Sequence, residues 1–138
     1  MVDYPIYYKN EGIKYRSSPE ELKKTILRYY PLTREFIDWM VKEGFKIRYV
    51  PDWKEGMGMV WWGLRTIALS PNGKKKLINK VLFHEIVHIL IPGVPNPYES
   101  LRTKEKYERV IDEVADVYLG DTELVKYTRQ KIPISSTP

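Results

Sequence analysis

The distribution of apolar and polar residues is dominated by one long segment that is apolar on nearly every face of a helix. This segment spans Lys74–Ile91 and is followed by Pro92, which does not continue a helix. At helical spacing, one stripe consists of Leu77, Val81, His84, His88 and Ile91, and the other faces carry Ile78, Leu82, Phe83, Ile86, Ile89 and Leu90. A helix of this kind is buried, so we expect the other elements to pack around it.

Two amphipathic helices are predicted before this buried helix. The first begins at Ser18, a favourable N-cap residue, continues with Pro19 at the first helical position, and ends at Pro31. The second runs from about Leu32 to Glu43, and Gly44 closes it. Both have their apolar residues on one face, which indicates that each covers part of the core.

Three short segments between these helices and the buried helix predict strands. They are Phe45–Val50, Met59–Trp62 and Leu64–Leu69, with a break or bulge at Gly63 between the last two. Few strands among longer helices are typical of the α+β class. We therefore predict a small mixed or antiparallel sheet.

Two further helices are predicted after a Pro/Gly-rich loop at residues 92–97. The first runs from Thr103, as N-cap, to Leu119 and is rich in acidic residues. A shorter helix follows over Asp121–Lys131. The loop is short enough for the acidic helix to return antiparallel to the buried helix.

The length of the chain favours one domain over residues 1–138. Hydrophobic residues make up 43% and charged residues 30%, which is a globular balance. Residues 1–18 are interpreted as an N-terminal arm and residues 132–138 as a flexible tail.

The buried helix contains the sequence His84-Glu85-Ile86-Val87-His88. The two imidazoles lie one turn apart on the same face, a spacing at which neutral imidazoles bind zinc. Glu85 lies beside them and is placed to act on a water molecule at the metal. The alternative interpretation, without a metal, is a pair of hydrogen-bonded core histidines. The metal site is preferred because the only two histidines of the chain both fall in this pattern.

This HExxH motif resembles the signature of the zincin metallopeptidases. The chain has no third histidine, which excludes the three-histidine metzincin pattern. The resemblance covers about residues 66–120 and implies the gluzincin arrangement, in which an acid on the following helix is the third zinc ligand. In size the chain is similar to minimal archaeal gluzincins and to the peptidase domain of ImmA/IrrE-type proteins. A zincin-like fold, one zinc ion per chain and a peptide or protein substrate are implied.

Three acids of the acidic helix are candidates for the third ligand. Glu113 keeps the glutamate of the gluzincin pattern, has Gly120 seven residues later, and is preferred. Asp112 matches the register of the surrounding residues better but supplies an aspartate. Glu108 falls twenty residues after His88, as the ligand does in thermolysin. All three stay open at this point.

The resemblance also suggests supporting residues. Asp116, with Asp112 as an alternative, is a candidate for the carboxylate that orients a zinc-bound histidine. Tyr98 and Tyr107 are candidates for a donor to the oxyanion. The strand Leu64–Leu69 is expected to line the cleft and to pair with an extended substrate.

Together these features predict a zinc metalloendopeptidase with Glu85 as general base. An arm or tail lying in the cleft would keep such an enzyme latent. The first alternative is a zincin-like protein that binds a partner or regulates without catalysis. The second is a basic nucleic-acid-binding protein, which the net charge of +5 permits but no basic helix supports.

Composition bounds the setting of the protein. The chain has no Cys, no apolar run long enough for a membrane, and no basic-then-apolar pattern at its first residues. We therefore expect a cytoplasmic protein without membrane partners. Gln130 is the only glutamine, and Lys, Glu and Tyr are abundant, which hints at a thermophilic source.

Overall fold

The computed structural model describes residues 18–91 and 101–135. The predicted arm before Ser18, the Pro/Gly loop with Tyr98, and residues 136–138 of the tail lie outside these ranges. The helices are α1 (Pro19–Tyr29), α2 (Arg34–Lys42), α3 (Lys75–Leu90), α4 (Leu101–Leu119) and α5 (Thr122–Lys131), and the strands are β1 (Lys46–Tyr49), β2 (Gly58–Trp61) and β3 (Thr66–Leu69). The predicted α+β class with a small mixed sheet is confirmed.

Side-chain caps explain where three of the helices begin. Ser18 Oγ accepts a hydrogen bond of 3.2 Å from the backbone N–H of Glu21, in the first turn of α1. Thr33 does the same for Phe36 in α2, also at 3.2 Å, and Asp121 caps α5. Each cap satisfies an N–H group that has no partner inside its helix.

The acidic helix α4 begins earlier than the sequence predicted. It already includes Leu101, so Thr103, the expected N-cap, lies inside the helix. The two residues before Thr103, Leu101 and Arg102, are good helix formers, so a helix extends through them at little cost.

The sheet has the strand order β1-β3-β2. β1 runs parallel to β3, and β2 runs antiparallel to β3. All four residues of β3 are buried. We expected the segment Leu64–Leu69 to pair with an extended substrate. It instead contains the central strand β3, whose two edges are already paired with β1 and β2. Among the described strands, β2 has one edge without a strand partner.

The start of the predicted flexible tail is held on the other side of the sheet. The backbone N–H of Ile47 donates to the carbonyl of Pro133 at 2.8 Å, and the N–H of Ser135 donates to the carbonyl of Ile47 at 2.7 Å. Ile134 thereby forms a parallel bridge with Ile47 in β1. Residues 132–135 lie along β1, on the sheet edge opposite β2.

Helix α3 occupies the centre of the fold, in contact with β2, β3 and α4. The apolar residues of its second half are buried as predicted, and Leu82, Phe83, Ile86 and Ile89 have no exposed surface. Leu77, Ile78 and Val81 in its first half are only partly buried, so the helix is not buried along its whole length. The polar residues of its motif are thereby held in a largely apolar surrounding, where an unpaired polar group is costly.

Helix α4 runs antiparallel to α3. Three side-chain contacts, here called the α3–α4 ladder, join His88 to Glu108, His84 to Asp112 and Lys80 to Asp116. The residue number falls along α3 as it rises along α4, in steps of four residues. One turn of each helix separates successive contacts. The acidic helix therefore faces the motif helix, as the sequence predicted.

Candidate metal centre

The two histidines of the motif lie side by side near the middle of α3. Their spacing of four residues places both imidazoles on the same face, with ring centroids 4.9 Å apart. The Nε2 atoms are 3.2 Å from each other. Both side chains are mostly buried, with exposed fractions of 17% for His84 and 15% for His88. The two rings therefore converge on one point at the edge of the core.

Glu108 of α4 completes this group. Its Oε2 atom lies 2.9 Å from His84 Nε2 and 3.0 Å from His88 Nε2. The three atoms form a nearly equilateral triangle. Within the part of the chain that the structure describes, these are the residues whose ligand atoms lie close enough together to hold a metal ion.

The chemistry of this donor set fits zinc. Two imidazole nitrogens and one glutamate oxygen are the ligands of a known class of catalytic zinc sites. Donors at about 2.0–2.1 Å from a tetrahedral zinc ion are about 3.3 Å from one another. The three separations in this group, 2.9, 3.0 and 3.2 Å, are close to that spacing. Small side-chain adjustments would bring the atoms to the distances that zinc requires.

Asp112 orients the first histidine. Its Oδ1 atom lies 2.6 Å from His84 Nδ1, on the side of the ring opposite Glu108. A carboxylate there keeps the proton on Nδ1 and directs Nε2 toward the candidate metal position. Asp112 was one of the two acids predicted for this role; the contact with His84 is present, and its role at a bound metal stays a prediction.

The histidines and the nearby carboxylates shift the pKa values of His84 and Glu108 in opposite directions. Burial disfavours the charged His84 ring, but the hydrogen bond with Glu108, the nearby Glu85 and the contact with Asp112 raise its pKa to about 9. Burial alone would raise the pKa of Glu108, but its hydrogen bonds to His84 and His88 hold this pKa well below the usual range. The site therefore favours a positive charge enclosed by acids, which is the environment a bound cation needs.

Glu85 lies beside the group, against the start of β2. A Cβ atom on Gly58 would be 3.3 Å from both Cγ and Oε2 of Glu85 and 2.4 Å from Cγ1 of Val81. Only glycine allows β2 to approach α3 this closely. Glu85 is buried, and burial raises its pKa above the ordinary value. The main chain of β2 at Gly58 therefore packs directly against the Glu85 side chain.

A cavity of about 440 Å³ opens next to these residues. Its lining comes from the start of β2, from α3 and from α4, and includes Gly58, Lys80, His84, Glu85 and Asp112. Glu85 and His84 both reach this space, which is large enough for part of a peptide. We call it the site cavity.

The structure corrects the preferred third ligand. Glu113 lies outside the group, with its carboxylate 3.8 Å from the Lys23 ammonium of α1. The reason is helical geometry. Glu113 follows Glu108 by five residues, which turns it about 140° around α4, whereas Asp112 at four residues stays on the same face. Glu108, one of the two alternatives, takes the position that we assigned to Glu113.

Asp116 is also not in contact with the histidines. It lies one turn beyond Asp112, and its Oδ1 atom is 3.9 Å from Lys80 Nζ. It belongs to the outer end of the α3–α4 ladder. Tyr107 is buried against His88, with ring centroids 6.0 Å apart, and forms part of the core. Tyr98, the other candidate donor to the oxyanion, is outside the described residues.

Sequence reasoning missed Gly58 and Lys80. Nothing in the local sequence marks Gly58 as a contact of Glu85, because the approach of β2 to α3 is a tertiary feature. Lys80 had a detectable signal. It lies four residues before His84 and therefore shares the face of the motif.

Comparisons of this chain with protein-family models, curated proteins and solved structures found no match. The description of the site therefore depends on its own geometry. Within residues 18–91 and 101–135, no helix has the length and apolar character needed to cross a membrane.

Proposed function

We propose that this protein is a zinc-dependent metallopeptidase of the zincin type with a gluzincin-like ligand set. The observation that carries the proposal is the convergence of His84, His88 and Glu108 next to Glu85 at an open cavity. Two imidazoles and one glutamate leave a coordination position free for water or substrate, which distinguishes catalytic zinc sites from structural ones. A buried carboxylate beside such a site is the expected general base.

The ion would supply Lewis-acid polarisation of a carbonyl group and a lowered pKa for water. The residues of the chain account for the remaining functions. Glu85 can accept a proton from the attacking water and deliver it to the leaving amine. Its raised pKa suits this exchange, since a carboxyl that is too acidic would not retain the proton. Asp112 keeps His84 in the tautomer that presents Nε2.

The edge of β2 is the proposed position for the peptide main chain. Gly58 at the start of β2 lines the site cavity, and β2 pairs on its other side with β3. An extended peptide can add to such an edge through backbone hydrogen bonds, which give affinity with little sequence preference. This assigns to β2 the role that the sequence suggested for Leu64–Leu69.

The test is hydrolysis of an unstructured protein by the full chain after zinc loading. The Glu85→Gln variant should bind zinc as the wild type does, because Glu85 is not in the ligand group, and should lose hydrolysis by at least about a hundredfold. The proposal would be refuted by a protein that binds zinc but cleaves neither the unstructured protein nor a mixed peptide library, both as the full chain and after removal of the arm before Ser18. Equal hydrolysis by Glu85→Gln would refute the assigned role of Glu85.

A partner-binding protein without catalysis is the second candidate. It is favoured by exposed apolar side chains in β2 and in the turn that follows it, where Met59 is 52%, Trp62 45% and Leu64 63% exposed. Exposed aromatic and apolar residues at one place are typical of interaction surfaces. In this case Trp62→Ala would abolish capture of the partner while Glu85→Gln would leave it unchanged.

A further inference from the structure

A second cavity lies next to the site cavity, toward the start of α3. Its volume is about 680 Å³, and it shares Leu77 and Lys80 with the site cavity. The lining comes from α3, from the end of α4 and from the segment before β2, and consists of Glu55, Lys74, Lys76, Leu77, Lys80, Asp116, Leu119 and Gly120. Because the two spaces share two residues of α3, a peptide can extend from one into the other.

The charges of this second cavity favour an anionic occupant. Lys74 and Lys76 line it, and neither has an ion pair with any residue in ranges 18–91 and 101–135. The third lysine, Lys80, is paired with Asp116 at 3.9 Å, but both side chains are about half exposed. An exposed pair of this kind is weak, so Lys80 can exchange Asp116 for another carboxylate.

The remaining lining fits a peptide side chain better than a bare ion. Leu77 and Leu119 supply apolar surface, against which the methylene groups of an aspartate or glutamate can pack. The lining contains three lysines and two acids, Glu55 and Asp116, so its net charge is positive. A short acidic segment therefore matches the charge of the cavity and finds apolar surface there for its methylene groups.

We infer that this cavity is a substrate subsite that selects peptides with acidic side chains on the side of the scissile bond that faces the start of α3. The inference rests on the proposed peptidase function. Lys80 and Lys76 lie about 6 and 12 Å before His84 along α3, at 1.5 Å per residue. An extended peptide advances about 3.3 Å per residue, which places the selected acids about two to four residues from the cleaved bond.

The inference is tested first by binding. The full chain with Glu85→Gln, in which hydrolysis should be at least about a hundredfold slower, is loaded with zinc. It is titrated with two labelled unstructured peptides, one with three Asp residues and the other with three Asn residues at the same positions. Each exposed ion pair strengthens binding by up to about fivefold, so the Asp peptide should bind about tenfold more tightly at about 0.05 M salt. Fluorescence anisotropy measures both affinities.

Lys75 provides a matched control, because it lies between Lys74 and Lys76 but does not line the cavity. Combined Lys74→Gln and Lys76→Gln substitutions should remove most of the preference for Asp, and Lys75→Gln should keep it. Equal affinity for the two peptides, or the same loss in Lys75→Gln, would overturn the inference. Displacement of the Asp peptide by a single-stranded oligonucleotide of equal charge would also overturn it, by assigning the lysines to phosphate.

A cleavage experiment separates this inference from the proposed function. Suppose that wild-type protein hydrolyses a peptide library, but that Asp and Glu are not enriched two to four residues from the cleaved bond. This result would refute the subsite and would still support the peptidase function. Protein that hydrolyses nothing, yet binds the Asp peptide through Lys74 and Lys76, would refute the peptidase and retain the acid-selecting cavity.

Discussion

Replacing Glu108 by Gln should remove most of the stabilisation that zinc gives to the folded protein. Oε2 of Glu108 is the atom that joins both histidines, at 2.9 and 3.0 Å. Glutamine keeps the shape of the side chain but removes the negative charge and most of its ability to bind zinc. The matched control is Glu113→Gln, the same change on α4 at a carboxylate that contacts Lys23 instead.

The expected size of the effect follows from linkage. Zinc at a free concentration of a hundred times its Kd stabilises the folded state by about 2.7 kcal/mol. At an unfolding entropy of about 2.1 cal/mol/K per residue, this raises the Tm of the 138-residue chain by about 9 °C. A hundredfold weaker site at the same zinc concentration is half filled, and the increase falls to about 1 °C. Glu113→Gln should keep the full increase.

The measurement is calorimetric unfolding of each protein with a chelator and with buffered zinc, supported by metal analysis. The result for each protein is the Tm with zinc minus the Tm with chelator, so any effect of the substitution on the zinc-free protein cancels. The reasoning is refuted if Glu108→Gln retains the full zinc-dependent increase in Tm, and Glu113 is the third ligand if Glu113→Gln loses that increase. No increase in the wild type would mean that the group is only a hydrogen-bonded cluster.

Three further predictions concern the residues around this group. Asp112→Asn should weaken zinc binding about 10–100-fold in a chelator competition, because the His84 orientation is no longer fixed by a charge. Gly58→Ala should destabilise the fold by about 1–3 kcal/mol in urea unfolding, since its Cβ would lie 2.4 Å from Val81, whereas Gly63→Ala, which meets nothing within 4 Å, should have little effect. In protein freed of metal by a chelator, folding raises the pKa of His84, so protonation of His84 increases the free energy of unfolding. This stabilisation is complete below pH 6.5 and is lost as the pH rises through about 9. A proton NMR titration of the His84 ring that gives a midpoint near 6.5 would contradict this last prediction.

The elements that local sequence determines were predicted well. The Ser18 cap was predicted, whereas the Thr33 cap was not, although every cap here involves a residue only three positions away. The apolar pattern of α3 predicted the burial that its second half shows. The motif residues His84 and His88 were brought together for the same reason, since helical spacing alone places them on one face.

The third ligand could not be selected in the same way. Sequence reasoning found the helix that carries it but not its rotation about its own axis, and one residue of error turns a side chain by about 100°. The packing of α4 against α3 and α1 sets that rotation, and it places Glu108 and Asp112 inward and Glu113 toward Lys23. The position of β3 in the sheet was missed for a related reason, because strand order depends on pairing between distant segments.

The α3–α4 ladder has a consequence for how the fold is held together. His88 and Glu108 are about twenty residues apart in the chain, so an ion shared by them acts as a cross-link that closes a loop of that length. Such a cross-link restrains α4 more than α3, because α3 is already fixed by the sheet. Amide hydrogen exchange should therefore slow chiefly in α4 when zinc is added. The metal would then stabilise the packing of α4 as well as take part in the reaction.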